Sequence, residues 1–334
     1  MGRRGLAIIA AGLLAFSASG CTSQKTGSGG QPADGGKIKV GLVTKTDSNP
    51  YFVALRDSAK AEAERAGAEL VALAGKFDGD NEGQVAAIEN LVQQGVSTLL
   101  ITPSNSTGIL GAIKKARDRG VLVIALDTET DPKDAVDATF ASDNTEAGRM
   151  QGTYVKAALG SRTAKVIMLD GTPGSTVSEQ RHNGFLQGMG LKNGDPAIAG
   201  AEATNGDQNK SQSATESLLQ RDASLNAVYT LNEPAARGAY VALQAKGIAA
   251  QVVIGSIDGS CQGVQDVKDG KVVATVMQFP KKMAAQGVQA AIEFGRTKQK
   301  PSGFVNTGVT VITDKAISGI QSQDTAWGLR NCWG

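Results

Sequence analysis

Residues 38–73 read IKVGLVTKTDSNPYFVALRDSAKAEAERAGAELVAL. The apolar run Ile38–Val43 has the length of a strand, and Phe52, Leu55, Ala59, Ala63 and Ala66 follow at the spacing of one helical face. Gly67 suits the left-handed position after a helix end, and Leu70–Leu73 is a second strand. Strand, helix, strand in this order predicts parallel strands joined by a helical crossover.

The same unit recurs on the C-terminal side. Val85, Ile88, Leu91 and Val92 form a helical face closed by Gly95 and followed by the strand Thr98–Ile101. Ile109, Leu110, Ile113 and Ala116 form another, closed by Gly120 and followed by Val121–Leu126. After Ser142 the pattern resumes with strands at Lys165–Leu169, Ile198–Ala201, Ala227–Leu231 and Val252–Ile257. Phe185, Leu186 and Met189, then Leu218 and Leu219, then Ala235–Lys246 ending at Gly247, mark the helices between them. The fold class predicted is α/β, with two doubly wound parallel-sheet lobes. In such sheets ligands collect outside the carboxyl ends of the strands, here in a cleft between lobes.

A chain of 334 residues, 41% hydrophobic, fits about two domains at roughly 100 to 200 residues each. Lys and Arg total 34 against 32 acidic residues, and removal of Arg3 and Arg4 with a leader leaves 32 against 32 (34 minus 2). That balance gives no footprint for nucleic acid. One histidine and three cysteines are too few soft ligands for a zinc finger or a His-rich catalytic site, so no metal and no cofactor are expected.

Arg3 and Arg4 precede an apolar run, Leu6–Ala18, too short to span a bilayer, so residues 1–20 read as a signal peptide. Ala18-Ser19-Gly20-Cys21 is similar to a bacterial lipobox, in which Cys21 is lipidated. An ordinary secretory signal with an incidental cysteine is the alternative, and both readings export the protein. Residues 21–36 are rich in Gly, Ser and Pro and read as a flexible tether.

Gly259-Ser260-Cys261-Gln262-Gly263 has the G-x-C-x-G form of a nucleophile elbow, but His182, the only histidine, precedes Cys261 by 79 residues (261 minus 182). Neither a phosphate loop nor a dinucleotide fingerprint is present, and no enzyme activity is expected. With Cys21 assigned to the anchor, Cys261 and Cys332 are expected to pair in an oxidising compartment, two free thiols being the alternative.

Four apolar strands end on an isolated polar residue: Asp127, Asn232, Asp258 and Gln278. Each could simply cap the next helix. Together, two carboxylates and two amides offer a cleft the donors and acceptors that suit a polyhydroxyl ligand. In the first βα loop, Pro50 stiffens a turn and Tyr51 and Phe52 could stack on a sugar ring, although Phe52 could also just begin the apolar stripe of its helix. Arg181 either reaches the cleft with its five donors or makes an exposed salt bridge.

At these segments the chain resembles the substrate-binding lipoproteins of sugar ABC importers, in the ribose-binding, type I periplasmic binding protein class, and within it the fructose-binding branch. The resemblance runs from Lys37 to Gly334 and rests on TKTDSNPYFV at 44–53, GKFDGDNE at 75–82, ITPS at 101–104, ALDT at 125–128, ASDN at 141–144, QRHNGF at 180–185, NEPAA at 232–236 and the terminal CWG at 332–334. It implies ligand contacts at Asn49, Tyr51, Phe52, Asp127, Arg181, Asn232, Asp258 and Gln278, with Thr102 and Asn205 as further positions. It also implies a three-crossover hinge near Ser142, Gln278 and Thr307, with lobes of residues 37–142 plus 279–307 and 143–278 plus 308–334. The residues alone suggest two consecutive domains.

Two departures bear on the sugar. Thr128 stands where ribose binders carry an arginine, and Gly206 where they place an aromatic; the smaller residues are expected to enlarge the pocket for an extra hydroxymethyl group, so a ketohexose such as fructose is expected to bind more tightly than ribose. A pentose or a polyol is the alternative ligand. The partners implied are a monosaccharide, the membrane subunits of an ABC permease, and the outer face of the bacterial cytoplasmic membrane through the lipid anchor, or else the periplasm; the protein is expected to be a monomer. A sugar-sensing receptor and a cleft enzyme remain as other readings. A transcriptional regulator of the lactose-repressor type would need a helix-turn-helix where the signal segment stands.

Overall fold

The computed structural model describes residues 37–334. The signal segment 1–20, Cys21 and the tether 21–36 lie outside the described residues. The first half of the chain alternates β1 (Lys39–Thr44), α1 (Pro50–Arg65), β2 (Glu69–Ala74), α2 (Asn81–Gln93), β3 (Thr98–Ile101), α3 (Leu110–Asp118), β4 (Leu122–Leu126) and β5 (Ala138–Ala141). Then come α4 (Asn144–Leu159), β6 (Val166–Asp170), α5 (Thr176–Met189), β7 (Ile198–Ala203), α6 (Gln208–Arg221), β8 (Ala227–Thr230), α7 (Glu233–Ala245), β9 (Val253–Asp258), α8 (Cys261–Lys268) and β10 (Ala274–Met277). The chain ends with α9 (Pro280–Thr297), β11 (Gly303–Asn306), β12 (Thr310–Ile312), β13 (Ser322–Gln323) and α10 (Thr325–Asn331).

These strands form two sheets. The first has six strands in the order β11-β5-β4-β3-β1-β2, all parallel. The second has seven, β13-β12-β10-β9-β8-β6-β7, in which only the β10–β12 pair is antiparallel. The chain therefore passes from the first sheet to the second after β5, returns after β10, and crosses again between β11 and β12.

Central strands such as β3 and β4 are buried along their whole length, because helices cover both faces of each sheet. In the first lobe α1 and α9 pack on one face around Leu55, Leu126 and Val288, while α2 and α3 pack on the other around Ile88, Leu91 and Ile113. In the second, α6, α7 and α8 cover one face and α4 and α5 the other. Helices α4 and α5 lie unusually close, because Gly148 and Gly152 face the backbone carbonyls of Arg181 and Phe185, and Gly184 and Gly188 face those of Thr145 and Arg149. A methyl group at any of the four would run into the facing backbone. This contact sets the position of Arg181 on α5.

Candidate functional site

The two lobes meet at the carboxyl ends of their strands and are joined there by direct hydrogen bonds. Ser106 N donates to Gly174 O at 2.9 Å, Thr176 N to Ser106 Oγ at 3.1 Å, and Gln180 Nε2 to Glu129 Oε2 at 2.6 Å. Between the lobes lies a small, nearly closed chamber of about 30 Å³. Its wall contains Asn49, Tyr51, Phe52, Asp127, Arg181, Asn232, Asp258 and Gln278, and in addition Lys45, Asp78, Val177 and Leu231.

Two of the carboxylates sit on unusual backbone. Asp127 has φ 65° and Asp258 φ 146°, a region in which a side-chain-bearing residue costs about 1–3 kcal/mol. The turn after each strand end aims the carboxylate inward at this cost. Asp127 Oδ2 accepts from Thr128 Oγ1 at 2.8 Å. Asp258 Oδ1 accepts from Gln278 Nε2 at 3.0 Å and lies 3.8 Å from Arg181 Nη1. Burial pushes the Asp258 carboxyl up to about 8 against the counter-effect of Arg181.

Arg181 is buried, donating from Nε to Asn144 Oδ1 at 2.8 Å and from Nη1 to Leu231 O at 2.9 Å. An exposed salt bridge is therefore not its role. Gln278 keeps Oε1 without a hydrogen-bond partner, although it is buried. Asn232 and Asn49 do cap helices: their Oδ1 atoms accept from Ala235 N and Tyr51 N, both at 3.0 Å. Capping and lining the chamber coexist in both residues. Tyr51 and Phe52 meet edge to face at 5.4 Å, and burial followed by the nearby Asp127 raises the Tyr51 hydroxyl well above its ordinary range.

Two expected positions stand outside this wall. Thr102 is buried behind it, with its carbonyl accepting from Gln84 Nε2 at 2.8 Å. Asn205 lines a neighbouring groove and donates from Nδ2 to Asp78 O at 3.0 Å. Thr128 and Gly206, expected to enlarge the pocket, do not line it either. Thr128 is fully buried against Asp127, and Gly206, at φ 65°, gives up its side chain because a Cβ would lie 2.5 Å from Asn232 Nδ2. Both residues serve to orient a neighbour, so the volume expected from their small size does not open into the chamber.

Other residues support the site from behind. The buried carboxylate of Glu233 holds the turn after Asp258: it accepts from Gly259 N at 2.7 Å, from Ser260 N at 3.2 Å, from the Ser260 hydroxyl and from Thr275 Oγ1 at 2.8 Å. Trp333, 3% exposed, packs on Tyr51 at 5.4 Å and donates from Nε1 to the carbonyls of Asp258 (3.1 Å) and Gln278 (3.2 Å). The segment carrying it is secured by a disulfide between Cys261 and Cys332, with Cα atoms 4.9 Å apart. Cys261 is thus no free nucleophile. His182 lies outside the chamber, its Nδ1 2.7 Å from Asp170 Oδ1 and its Nε2 2.8 Å from Asn193 Oδ1, and the Asp170 hydrogen bond raises its pKa.

Residues 40–298 match the family described as "Periplasmic binding protein domain". The chain belongs to the periplasmic binding protein family. Among relatives in this family, the ribose import binding protein of Salmonella typhimurium is 34% identical over 255 residues, covering 76% of this chain and 84% of that protein. The D-ribose/D-allose-binding protein of Pseudomonas aeruginosa is 31% identical over 291 residues, covering 83% and 89%. A crystal structure of an ABC transporter periplasmic solute binding protein from Actinobacillus succinogenes with bound D-allose superposes with a TM-score of 0.75 at 26% identity, over 83% of this chain and 98% of that one. The fold of the family is the type I arrangement of two α/β lobes seen here.

Proposed function

We propose that this protein is the substrate-binding component of an ABC importer, closing its lobes on one monosaccharide and handing it to the permease. The observation that carries this reading is the convergence of Asp127, Asp258, Arg181, Asn232, Gln278 and Asn49 with the Tyr51–Phe52 pair in one small chamber. Carboxylates accept from neighbouring hydroxyls, amides both give and take, and the aromatic rings offer an apolar face to the C–H side of a sugar. A hydrogen bond to a charged group such as the Arg181 guanidinium contributes about 1.5–3 kcal/mol. Asp258 and Gln278 come from the second lobe and Asp127 and Asn49 from the first, so a bound sugar ties the lobes together.

The ligand proposed is an aldose of the ribose or allose kind. Relatives named for ribose and allose support it, and the place of Thr128 and Gly206 outside the chamber removes the geometric support for preferring fructose. Export, anchoring through Cys21 and a monomeric state belong to the same proposal. The test is a thermal-shift screen with D-ribose, D-allose, D-fructose and myo-inositol, followed by calorimetry. A ligand at 100 times its Kd stabilises the folded state by about 2.7 kcal/mol. No shift with any sugar or polyol refutes the binding reading, and fructose binding more tightly than both aldoses reverses the ranking.

A further inference from the structure

Asp78 stands on the partition between two cavities. It lines the chamber beside Lys45, and it also lines a wider groove of about 540 Å³ between the lobes. Phe77, 55% exposed, Lys76 and Lys210 line this groove. Only Asn49 is shared by the two cavities in the same way, and its Oδ1 is engaged as the cap of α1.

Asp78 belongs to the first lobe but is tied to the second. Thr172 Oγ1 donates to its Oδ1 at 2.8 Å, and Asn205 Nδ2 donates to its carbonyl at 3.0 Å. Lys45 Nζ lies 3.9 Å from its Oδ2. The loop is held in shape from below, since Asp80 accepts from Lys76 N and from Gly83 N, each at 2.9 Å. Gly79, at φ 108°, supplies the backbone turn that brings Asp78 to Thr172 and Asn205.

We propose that Asp78, tethered by Thr172 and Asn205, is a specificity-determining residue that closes the chamber against ligands longer than one sugar ring. This rests on the monosaccharide reading and adds to it a class that is refused: glycosides whose substituent would enter the groove. Such a substituent has to displace both tethers and leave a carboxylate oxygen and a carbonyl without donors, which weakens binding on the order of tenfold or more.

The experiment is calorimetry with D-ribose, D-allose and their methyl α- and β-pyranosides, the free sugars being measured first. Wild type is expected to bind a free sugar at least about tenfold more tightly than its glycosides. Asp78→Gly and, independently, Thr172→Val are expected to shrink that ratio to within about threefold, whereas Asp78→Asn, which keeps an acceptor for Thr172 and the carbonyl for Asn205, retains it. A wild type that binds the glycosides as tightly as the free sugars overturns the proposal, as does an unchanged ratio in both Asp78→Gly and Thr172→Val. Failure of wild type to bind any free sugar is a different result, and it refutes the underlying monosaccharide reading.

Discussion

Replacing both Cys261 and Cys332 with serine opens a loop whose ends are 71 residues apart in sequence. In the chain-entropy description, closing a loop of that size removes about 15 cal/mol/K from the unfolded ensemble, or about 4 kcal/mol at 25 °C. The folded state keeps its other ties in this region: Cys261 N still donates to Trp333 O at 3.0 Å, and the Trp333 indole still reaches the carbonyls of Asp258 and Gln278. The loss therefore falls on the unfolded side of the equilibrium. For a chain of this size, with an unfolding entropy of about 0.6 kcal/mol/K, it corresponds to a fall in Tm of roughly 6–7 °C. Urea denaturation of oxidised wild type, reduced wild type and the double serine variant is the assay. The last two are expected to coincide, both about 4 kcal/mol below the first. A double variant within about 1 kcal/mol of oxidised wild type refutes the loop-closure account.

Other expected outcomes concern the chamber directly. Asp127→Ala and Asp258→Ala each abolish sugar binding in calorimetry while leaving a cooperative unfolding transition. The raised Asp258 carboxyl holds in the folded state a proton that the unfolded chain releases near 3.8, so its contribution to the stability of the sugar-free protein is complete below about pH 4 and is lost as pH rises through about 8. Thermal denaturation from pH 5 to 9 should show this decline, and Asp258→Asn should flatten it. Gly184→Ala forces a methyl against the Thr145 carbonyl, spreads α4 from α5 and displaces Arg181, which costs about 1–3 kcal/mol in denaturation and weakens sugar binding in parallel. In X-ray scattering, saturating sugar should shift the protein toward the smaller radius of gyration of the closed form, and identical curves with and without sugar speak against hinge closure.

The βα order was legible because buried parallel strands are continuous apolar runs, and β1, β3 and β4 have this form. Strands β11 and β13 carry no such mark: Gly303–Asn306 is mostly exposed and Ser322–Gln323 is polar and two residues long, so their places at the sheet edges rest on pairing that periodicity does not encode. Asp127 and Asp258 could be picked out because a lone carboxylate ended an apolar strand. Nothing comparable distinguished Asp78 from Asp80 two residues later, since its partner Thr172 lies 94 positions away on the other lobe. Glu233 looked like an ordinary acidic residue in the first turn of a helix, and only the fold shows its carboxylate gripping the turn after Asp258. The small residues at 128 and 206 illustrate the converse, because size was readable but direction was not.

The placement of Trp333 also makes the protein its own optical reporter. Its indole touches Tyr51 of the first lobe and donates to two carbonyls at the end of the second sheet, so movement of one lobe against the other changes the field at the ring and with it the emission wavelength. The chain has one other tryptophan, Trp327 on α10, and Trp327→Phe would leave a single emitter beside the chamber. Sugar titrations could then be read without a dye.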